Sequence, residues 1–186
     1  MVSRRREGIP VRLPPLPAEE WDDRTRAALA GLVPRSRQDP DGAGPALSTV
    51  VRHPDLAGVF FRFTTYLMVH STLPPRLREL VILRVARRRR CAYEWTHHAG
   101  FAAAVGLSES EIEAAGEGKA TDALEATVLA AVDELDENSD LTDRTWDLLG
   151  EHLSDHQRMD LVATVGGYIA MSLAFNAFGV QAEEKG

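Results

Sequence analysis

The chain has one cysteine, no sequence pattern typical of β-strands and no long unbroken apolar run. A single cysteine among 186 residues excludes a disulfide within the chain, and we expect a cytoplasmic protein. Alternation of apolar and polar residues with period two is missing over any useful length, which argues against a sheet. No continuous apolar run reaches the ~18 residues of a membrane-spanning helix, and the basic N-terminus lacks the apolar stretch of a secretory signal. We therefore expect no membrane association.

The charge balance limits the possible partners. The chain has 21 basic and 28 acidic residues, for a net charge of −7. This excess of negative charge argues against nucleic acid as a partner. The hydrophobic fraction of 44% and the length suit a compact domain with a proper core. The composition therefore predicts a globular protein that acts on a small molecule or binds other proteins.

Helical periodicity and capping signals predict an all-α protein. Residues 1–17 are rich in proline and predict an extended N-terminal arm, followed by a single helical domain over 18–186. The segment 33–45 has the composition of a loop. We predict helices at 18–31, 46–53, 54–70, 75–88, 91–106, 108–116, 122–137, from 142 onwards, and at 154–178.

Glu79 is a carboxylate on an apolar helix face. In a helix over 75–88, the residues three, four and seven positions later are Ile82, Leu83 and Ala86. A buried carboxylate is costly unless it is hydrogen-bonded, and burial raises its pKa. Glu79 is therefore either paired structurally with a nearby arginine or part of a functional site.

Cys91, Glu94 and His98 share one face of the next predicted helix, because they are separated by three and four residues. With Glu79 they would converge between two adjacent helices. His98 then suits a general acid or base, or it is a satisfied core histidine. Cys91 is either a small core residue or a thiolate activated by its neighbours. His97 points about 100° away from His98 and cannot serve the same site.

A metal centre is not expected here. Glu94 and His98 offer two ligands, whereas zinc requires three or four protein ligands at defined spacing. The arginine run 87–90 suits a solvated helix end, where cations interact favourably with the helix dipole. One of these arginines could instead hold an anionic substrate.

The stretch PPRLRELVILRVARRRRCAYEWTHHAGFAAAVGLSESEIEAA, residues 74–115, resembles the carboxymuconolactone decarboxylase family, which includes the alkylhydroperoxidase D proteins. The helical remainder and the start LPPLPAEEWDDRTRAAL are also similar to the longer members. The resemblance implies an alkylhydroperoxidase D-like helical bundle that forms a homo-oligomer. The apolar last helix also favours association, because it needs cover on every side.

The family's peroxidase branch resembles the pattern E-x11-C-x2-C-x3-H. Glu79, Cys91 and His98 match that pattern by position, whereas Glu94 replaces the second cysteine. A two-cysteine peroxidase cycle cannot run within one chain, because there is no second thiol to form the disulfide. The decarboxylase branch is similar in needing neither a cysteine pair nor a cofactor.

We therefore expect a cofactor-independent acid/base enzyme with His98, Glu79 and Glu94 at its site. Its reaction would be decarboxylation or proton transfer on a small anionic organic acid or lactone. The alternative is a thiol-dependent peroxidase or oxidoreductase that uses Cys91. A third hypothesis is a non-catalytic helical oligomer with a degenerate site.

Overall fold

A computed structural model describes residues 10–182, and within them the regular structure is helical with no strand. The predicted all-α class is therefore confirmed. The helices are α1 (Asp23–Ala28), α2 (Pro40–Val50), α3 (Pro54–Thr65), a π-helix (Tyr66–His70), α4 (Pro75–Arg88), α5 (Ala92–Ala104), α6 (Glu109–Gly116), α7 (Ala123–Asn138), α8 (Asp143–Gly150) and α9 (Asp155–Phe178). Short 3-10 turns occur at Ala18–Glu20 and Arg35–Arg37.

The chain divides into two compact units. One unit comprises residues 1–62 and 174–186, and the other comprises 63–173. Residues 1–9 of the predicted arm lie outside the described residues. In the first unit, residues 10–17 form no helix, and the Leu16 N–H donates to the Ser48 carbonyl at 2.8 Å. The division into an arm and one domain remains a prediction.

The helix predicted at 18–31 is not continuous, because it is interrupted near its start. A 3-10 turn ends at Glu20, and α1 begins only at Asp23. The Asp22 side chain accepts the Thr25 N–H at 2.7 Å, so it caps a new helix and interrupts the predicted one. The Trp21 indole nitrogen meanwhile donates to the Leu16 carbonyl. This local capping outweighs the continuous helical periodicity.

The predicted loop over 33–45 also contains more helix than expected. Asp39 caps α2 by accepting the Gly42 N–H at 2.8 Å, and Pro40 occupies the first helical turn. Gly44 has φ 77° and ψ 173°, so α2 is kinked there, just before Pro45. The glycine and proline that suggested a loop therefore produce a kink within a helix.

From α3 onwards the predicted helices are present, although the helix predicted at 54–70 becomes a π-helix after Thr65 and Cys91 precedes α5 instead of lying within it. α4 has the predicted bounds, 75–88, and Ser108 with Glu111 forms the predicted capping box of α6. Arginines of α4 then join it to α6 and α7. The Arg76 guanidinium binds Glu111 at 2.5 Å and Glu125 at 2.6 Å, while Arg84 binds Asp133 at 2.7 Å. These ion pairs hold α4 against α6 and α7.

α9 packs closely against the π-helix. A β-carbon on Gly167 would lie 2.6 Å from the end of the buried Leu67 side chain, so a larger residue would force that side chain to shift. Asp160 secures the same segment by accepting hydrogen bonds from the Tyr66 hydroxyl at 2.8 Å and the Thr72 N–H at 2.6 Å. Of the predicted glycine pair at 166–167, Gly167 mediates close approach, whereas Gly166 faces open space.

By length and composition alone, α9 could cross a membrane. Its most apolar window has a mean hydropathy of 1.6, and 44% of that window is buried within the fold. This average over a window is a different measure from the continuous apolar run used on the sequence, because it tolerates small and polar residues. Core helices pass the same test, so the observation is weak evidence for a membrane.

Candidate functional site

Glu79 lies at the centre of α4 and is completely buried, with 0% of its surface exposed. Ile82, Leu83 and Ala86 on the same face are buried as well, as the sequence predicts. Pro74 and Pro75 set the start of the helix and so fix which residues face inwards. A carboxylate in such surroundings requires partners, and its two oxygens have them.

His98 on α5 lies between two carboxylates. Its Nδ1 is 2.7 Å from Oε2 of Glu79, and its Nε2 is 3.3 Å from Oε2 of Glu94. The predicted contact between Glu79 and His98 is therefore present. Glu94 and His98 are 4% and 5% exposed, so the cluster is largely withdrawn from solvent. In its imidazolium form His98 donates a hydrogen bond from each ring nitrogen.

The cluster also contains one arginine. Arg78 donates to Oε1 of Glu79 at 3.1 Å, so each oxygen of that carboxylate has a cationic or hydrogen-bonding partner. Burial disfavours a charged imidazole, but the hydrogen bonds to Glu79 and Glu94 outweigh burial and raise the pKa of His98. Two carboxylates, one guanidinium and one imidazolium balance in charge. The cluster can therefore hold a proton near neutral pH and release it to a neighbouring group.

Cys91 precedes α5 and is buried, with 1% of its surface exposed. Burial raises the pKa of its thiol to about 11, although N–H groups at the start of α5 oppose the rise. The Ser172 hydroxyl also interacts with the sulfur. A thiol with this pKa is protonated at neutral pH, so the structure does not present Cys91 as an activated thiolate.

Tyr168 on α9 is a further member of the cluster. The sequence alone allows this residue to line a pocket but favours a packing role. Its ring meets the His98 ring edge-on, with centroids 5.0 Å apart and planes at 89°. Its hydroxyl lies 2.9 Å from the Met68 sulfur. Only the close approach at Gly167 could have indicated this contact, because nothing in the local sequence connects α9 with α5.

The sequence suggested that an arginine of the run 87–90 could hold an anionic substrate. The contacts of Arg87, Arg88 and Arg89 do not support this hypothesis. Arg87 binds Glu113 on α6 at 2.7 Å and lies over the Trp95 ring, while Arg88 binds Asp136 on α7 at 2.7 Å. Arg89 also pairs with Asp136. The acidic faces of α6 and α7 attract these side chains, so none of the three is placed to hold a substrate beside His98.

Within residues 10–182, no group of three or more histidine, cysteine or acidic side chains could hold a metal ion. His97 packs against Tyr93, with ring centroids 4.3 Å apart, rather than beside His98. The two adjacent histidines therefore occupy different surroundings, as their helical spacing predicts.

Comparison with known proteins gives a family assignment for the part of the chain that contains this cluster. Residues 54–137 match the model of the "Carboxymuconolactone decarboxylase family". That range includes Glu79, Cys91, Glu94 and His98. No curated protein sequence matches the chain.

Solved structures share the fold at low sequence identity. An uncharacterized peroxidase-related protein from Ralstonia eutropha JMP134, described as an alkylhydroperoxidase AhpD core, has a TM-score of 0.78 at 18% identity, over 95% of each chain. A protein of unknown function from Agrobacterium tumefaciens, a putative antioxidant defence protein AhpD, has a TM-score of 0.64 at 20% identity, over 72% of this chain and 94% of that one.

The debrominase Bmp8, solved with a cysteine replaced by alanine and in complex with 2,3,4-tribromopyrrole, has a TM-score of 0.70 at 16% identity. The match covers 95% of this chain and 94% of the debrominase. The described residues therefore have the alkylhydroperoxidase D-like fold that the resemblance implied.

Proposed function

Because residues 54–137 match the model of the carboxymuconolactone decarboxylase family, we propose that the chain is a member of that family and a cofactor-independent acid/base enzyme acting on a small organic acid or lactone. The observation that carries the proposal is the position of His98 between the carboxylates of Glu79 and Glu94. A histidine with a raised pKa in a buried, charge-balanced cluster suits proton transfer at neutral pH.

The reaction would proceed by proton transfer next to a carbonyl group. In a decarboxylation, the bond to the carboxylate carbon breaks, carbon dioxide leaves, and the electron pair moves towards the carbonyl oxygen as an enolate. His98 then delivers its proton to the carbon, and Glu94 helps to return a proton to the imidazole. In a simple isomerisation the same groups remove a proton from one carbon and deliver it to another.

Glu79 and Glu94 have different roles in this proposal. Glu79 comes from α4, contacts Nδ1 at 2.7 Å and also binds Arg78, so it orients the imidazole and sets its charge. Glu94 contacts Nε2 at 3.3 Å, and this longer contact is the easier one for a substrate to replace. His98 and Glu94 are therefore the groups that exchange protons with the substrate.

The test is turnover of a panel of unsaturated lactones and carboxylated lactones, including carboxymuconolactone, followed by ultraviolet absorbance and carbon dioxide release. His98→Gln should lower kcat/KM by ~10² to 10⁴-fold while the protein remains folded. His97→Gln is the matched control, because that ring packs on Tyr93, and it should retain full activity. Equal activity of both variants would refute acid/base catalysis at His98.

A thiol-dependent oxidoreductase is the second candidate, favoured by the structural neighbours that are described as peroxidase-related or as a debrominase. The raised pKa of Cys91, to about 11, argues against a resting thiolate. Reduction of hydroperoxides or halogenated pyrroles with an external thiol, abolished in Cys91→Ser, would establish this candidate in place of the first. The third hypothesis, a non-catalytic oligomer, predicts that Glu79, Glu94 and His98 can be replaced without loss of any activity or ligand binding.

A further inference from the structure

Tyr168 supplies a hydrogen-bond donor beside His98 that the proposed acid/base mechanism does not yet use. Its ring is buried, and it meets the imidazole edge-on at 5.0 Å. The electrostatic influence of Glu94 and Glu79 reaches its hydroxyl as well. The tyrosine therefore belongs to the same cluster of groups and not only to the apolar core.

The present hydrogen-bond partner of Tyr168 is a weak one. The hydroxyl lies 2.9 Å from Sδ of Met68, and a thioether is a poor acceptor. A buried hydroxyl gains more from an oxygen acceptor than from sulfur. The side chain thus keeps an available donor at the edge of the site, and a ligand oxygen would be the better partner.

The other groups of the cluster cannot easily supply this donor. Carboxylates such as Glu94 only accept hydrogen bonds when ionised, and both nitrogens of His98 already contact carboxylates. Arg78 donates to Glu79. The Tyr168 hydroxyl is a neutral donor, and its hydrogen-bond partner is the Met68 sulfur rather than a carboxylate. Burial raises its pKa well above the ordinary value, so the hydroxyl stays protonated.

Contacts between α9 and the π-helix segment hold Tyr168 in place. Gly167 brings α9 against the π-helix, where Leu67 would collide with any larger residue. Asp160 fixes the π-helix by accepting hydrogen bonds from Tyr66 and Thr72. A side chain positioned in this way is preorganised to stabilise developing charge without rearrangement.

We propose that the Tyr168 hydroxyl binds the carbonyl oxygen of the substrate and stabilises the enolate that forms when a proton or carbon dioxide leaves. This inference rests on the proposed function for its reaction, although the binding contact can be tested separately. It also specifies the substrate class as a compound with a neutral carbonyl acceptor next to the reacting carbon, such as a lactone or ketone. A site lined by Glu79 and Glu94 favours such a neutral group over a second carboxylate at that point.

Binding of furan-2(5H)-one carrying 13C at its carbonyl provides the test, because no turnover is needed. In the wild type, the bound carbonyl resonance should move downfield by several parts per million, as expected for a donated hydrogen bond. In Tyr168→Phe, which keeps the ring against His98, this shift should disappear. Tyr93→Phe is the matched control, since that ring packs on His97 rather than beside His98, and it should retain the shift.

A second measurement avoids dependence on the Tyr168 variant. The chain has three tyrosines, so labelling their Cζ atoms gives three resonances, and Tyr66→Phe and Tyr93→Phe identify the Tyr168 signal by elimination. The lactone should shift that signal in the wild-type protein. A lactone that does not bind, or that binds without moving either resonance, would overturn the inference.

The outcomes separate this inference from the proposed function. A carbonyl shift that depends on Tyr168, together with full activity in His98→Gln, would support the binding role and refute the acid/base role. If turnover occurs, Tyr168→Phe should lower kcat by ~10²-fold, the usual effect of removing one donor to an oxyanion. Unchanged kcat with a lost carbonyl shift would overturn the enolate-stabilising part.

Discussion

Glu79 on α4 and His98 on α5 are joined by a buried contact of 2.7 Å, and Arg78 binds the other oxygen of the same carboxylate. The contact joins the two helices by a hydrogen bond between ionisable side chains in addition to apolar packing. Its strength therefore depends on the charge of each partner, which makes both stability and pH dependence informative.

Replacing Glu79 with Gln should destabilise the fold. The amide keeps the size of the side chain but removes the charged partner of Arg78 and one of the two carboxylates that contact His98, and loss of one member of a buried pair costs ~3–5 kcal/mol. Chemical unfolding measures this loss. Glu109→Gln, at an exposed position of α6, is the control and should change stability by less than about 0.5 kcal/mol. A similar small effect at Glu79 would contradict the ion-pair description.

Stability should depend on pH through His98. The pKa of His98 is raised above the ordinary histidine value of 6.5 in the folded protein, because the hydrogen bonds to Glu79 and Glu94 outweigh the burial that opposes them. The stabilising contribution is therefore complete below pH 6.5 and is lost as pH rises through the folded-state pKa. The difference in unfolding free energy between wild type and His98→Gln should therefore shrink as the pH rises above 6.5. A constant or growing difference would contradict the raised pKa.

The two adjacent glycines of α9 should respond in opposite directions to alanine. At Gly167 a β-carbon would meet Leu67 at 2.6 Å and Phe63 at 3.0 Å, so Gly167→Ala should destabilise the protein by ~1–3 kcal/mol. At Gly166 nothing lies within 4 Å, and alanine should stabilise the helix by up to ~1 kcal/mol. Thermal unfolding of the two variants measures both changes in stability. Equal effects would show that the packing of α9 on the π-helix differs from this description.

Cys91 should react slowly with iodoacetamide in the folded protein. The side chain is buried and the pKa of its thiol is about 11, so both access and the thiolate fraction are low at neutral pH. Mass spectrometry follows the alkylation, and the same chain in urea serves as the reactive control. Modification of the folded protein as fast as the unfolded one would support the thiol-dependent candidate instead.

We propose that the protein forms a homo-oligomer through α9. Met159 and Leu173 on this helix are 65% and 57% exposed, which leaves large apolar side chains in water. Light scattering at micromolar concentration should give a mass above the 20.4 kDa of one chain, and Met159→Glu should lower it. A mass of one chain throughout a dilution series would refute the proposal.

The sequence predicts the site helices well because their signals are local. Pro74 and Pro75 set the start of α4, so the positions that face inwards follow from helical spacing alone, and Glu79 is found among them. Glu94 and His98 are likewise four residues apart on α5. Their shared environment could be predicted without any tertiary information.

The contribution of α9 could not be predicted in the same way. Tyr168 reaches His98 only because Gly167 brings α9 against the π-helix, and no spacing rule relates these distant segments. At α1 and α2, the side chains of Asp22 and Asp39 begin new helices inside regions that composition reads differently. Caps and long-range contacts therefore account for most of what sequence reasoning missed.

The link between Arg76 and Glu111 has a consequence for tolerance to acid. Hydrogen bonds from Ser108 and the Arg76 guanidinium lower the pKa of Glu111 to about 2. The carboxylate therefore remains charged in solutions acidic enough to protonate an ordinary glutamate. The ion pair between the start of α6 and the first turn of α4 therefore persists at low pH, and α4 is the helix that carries Glu79.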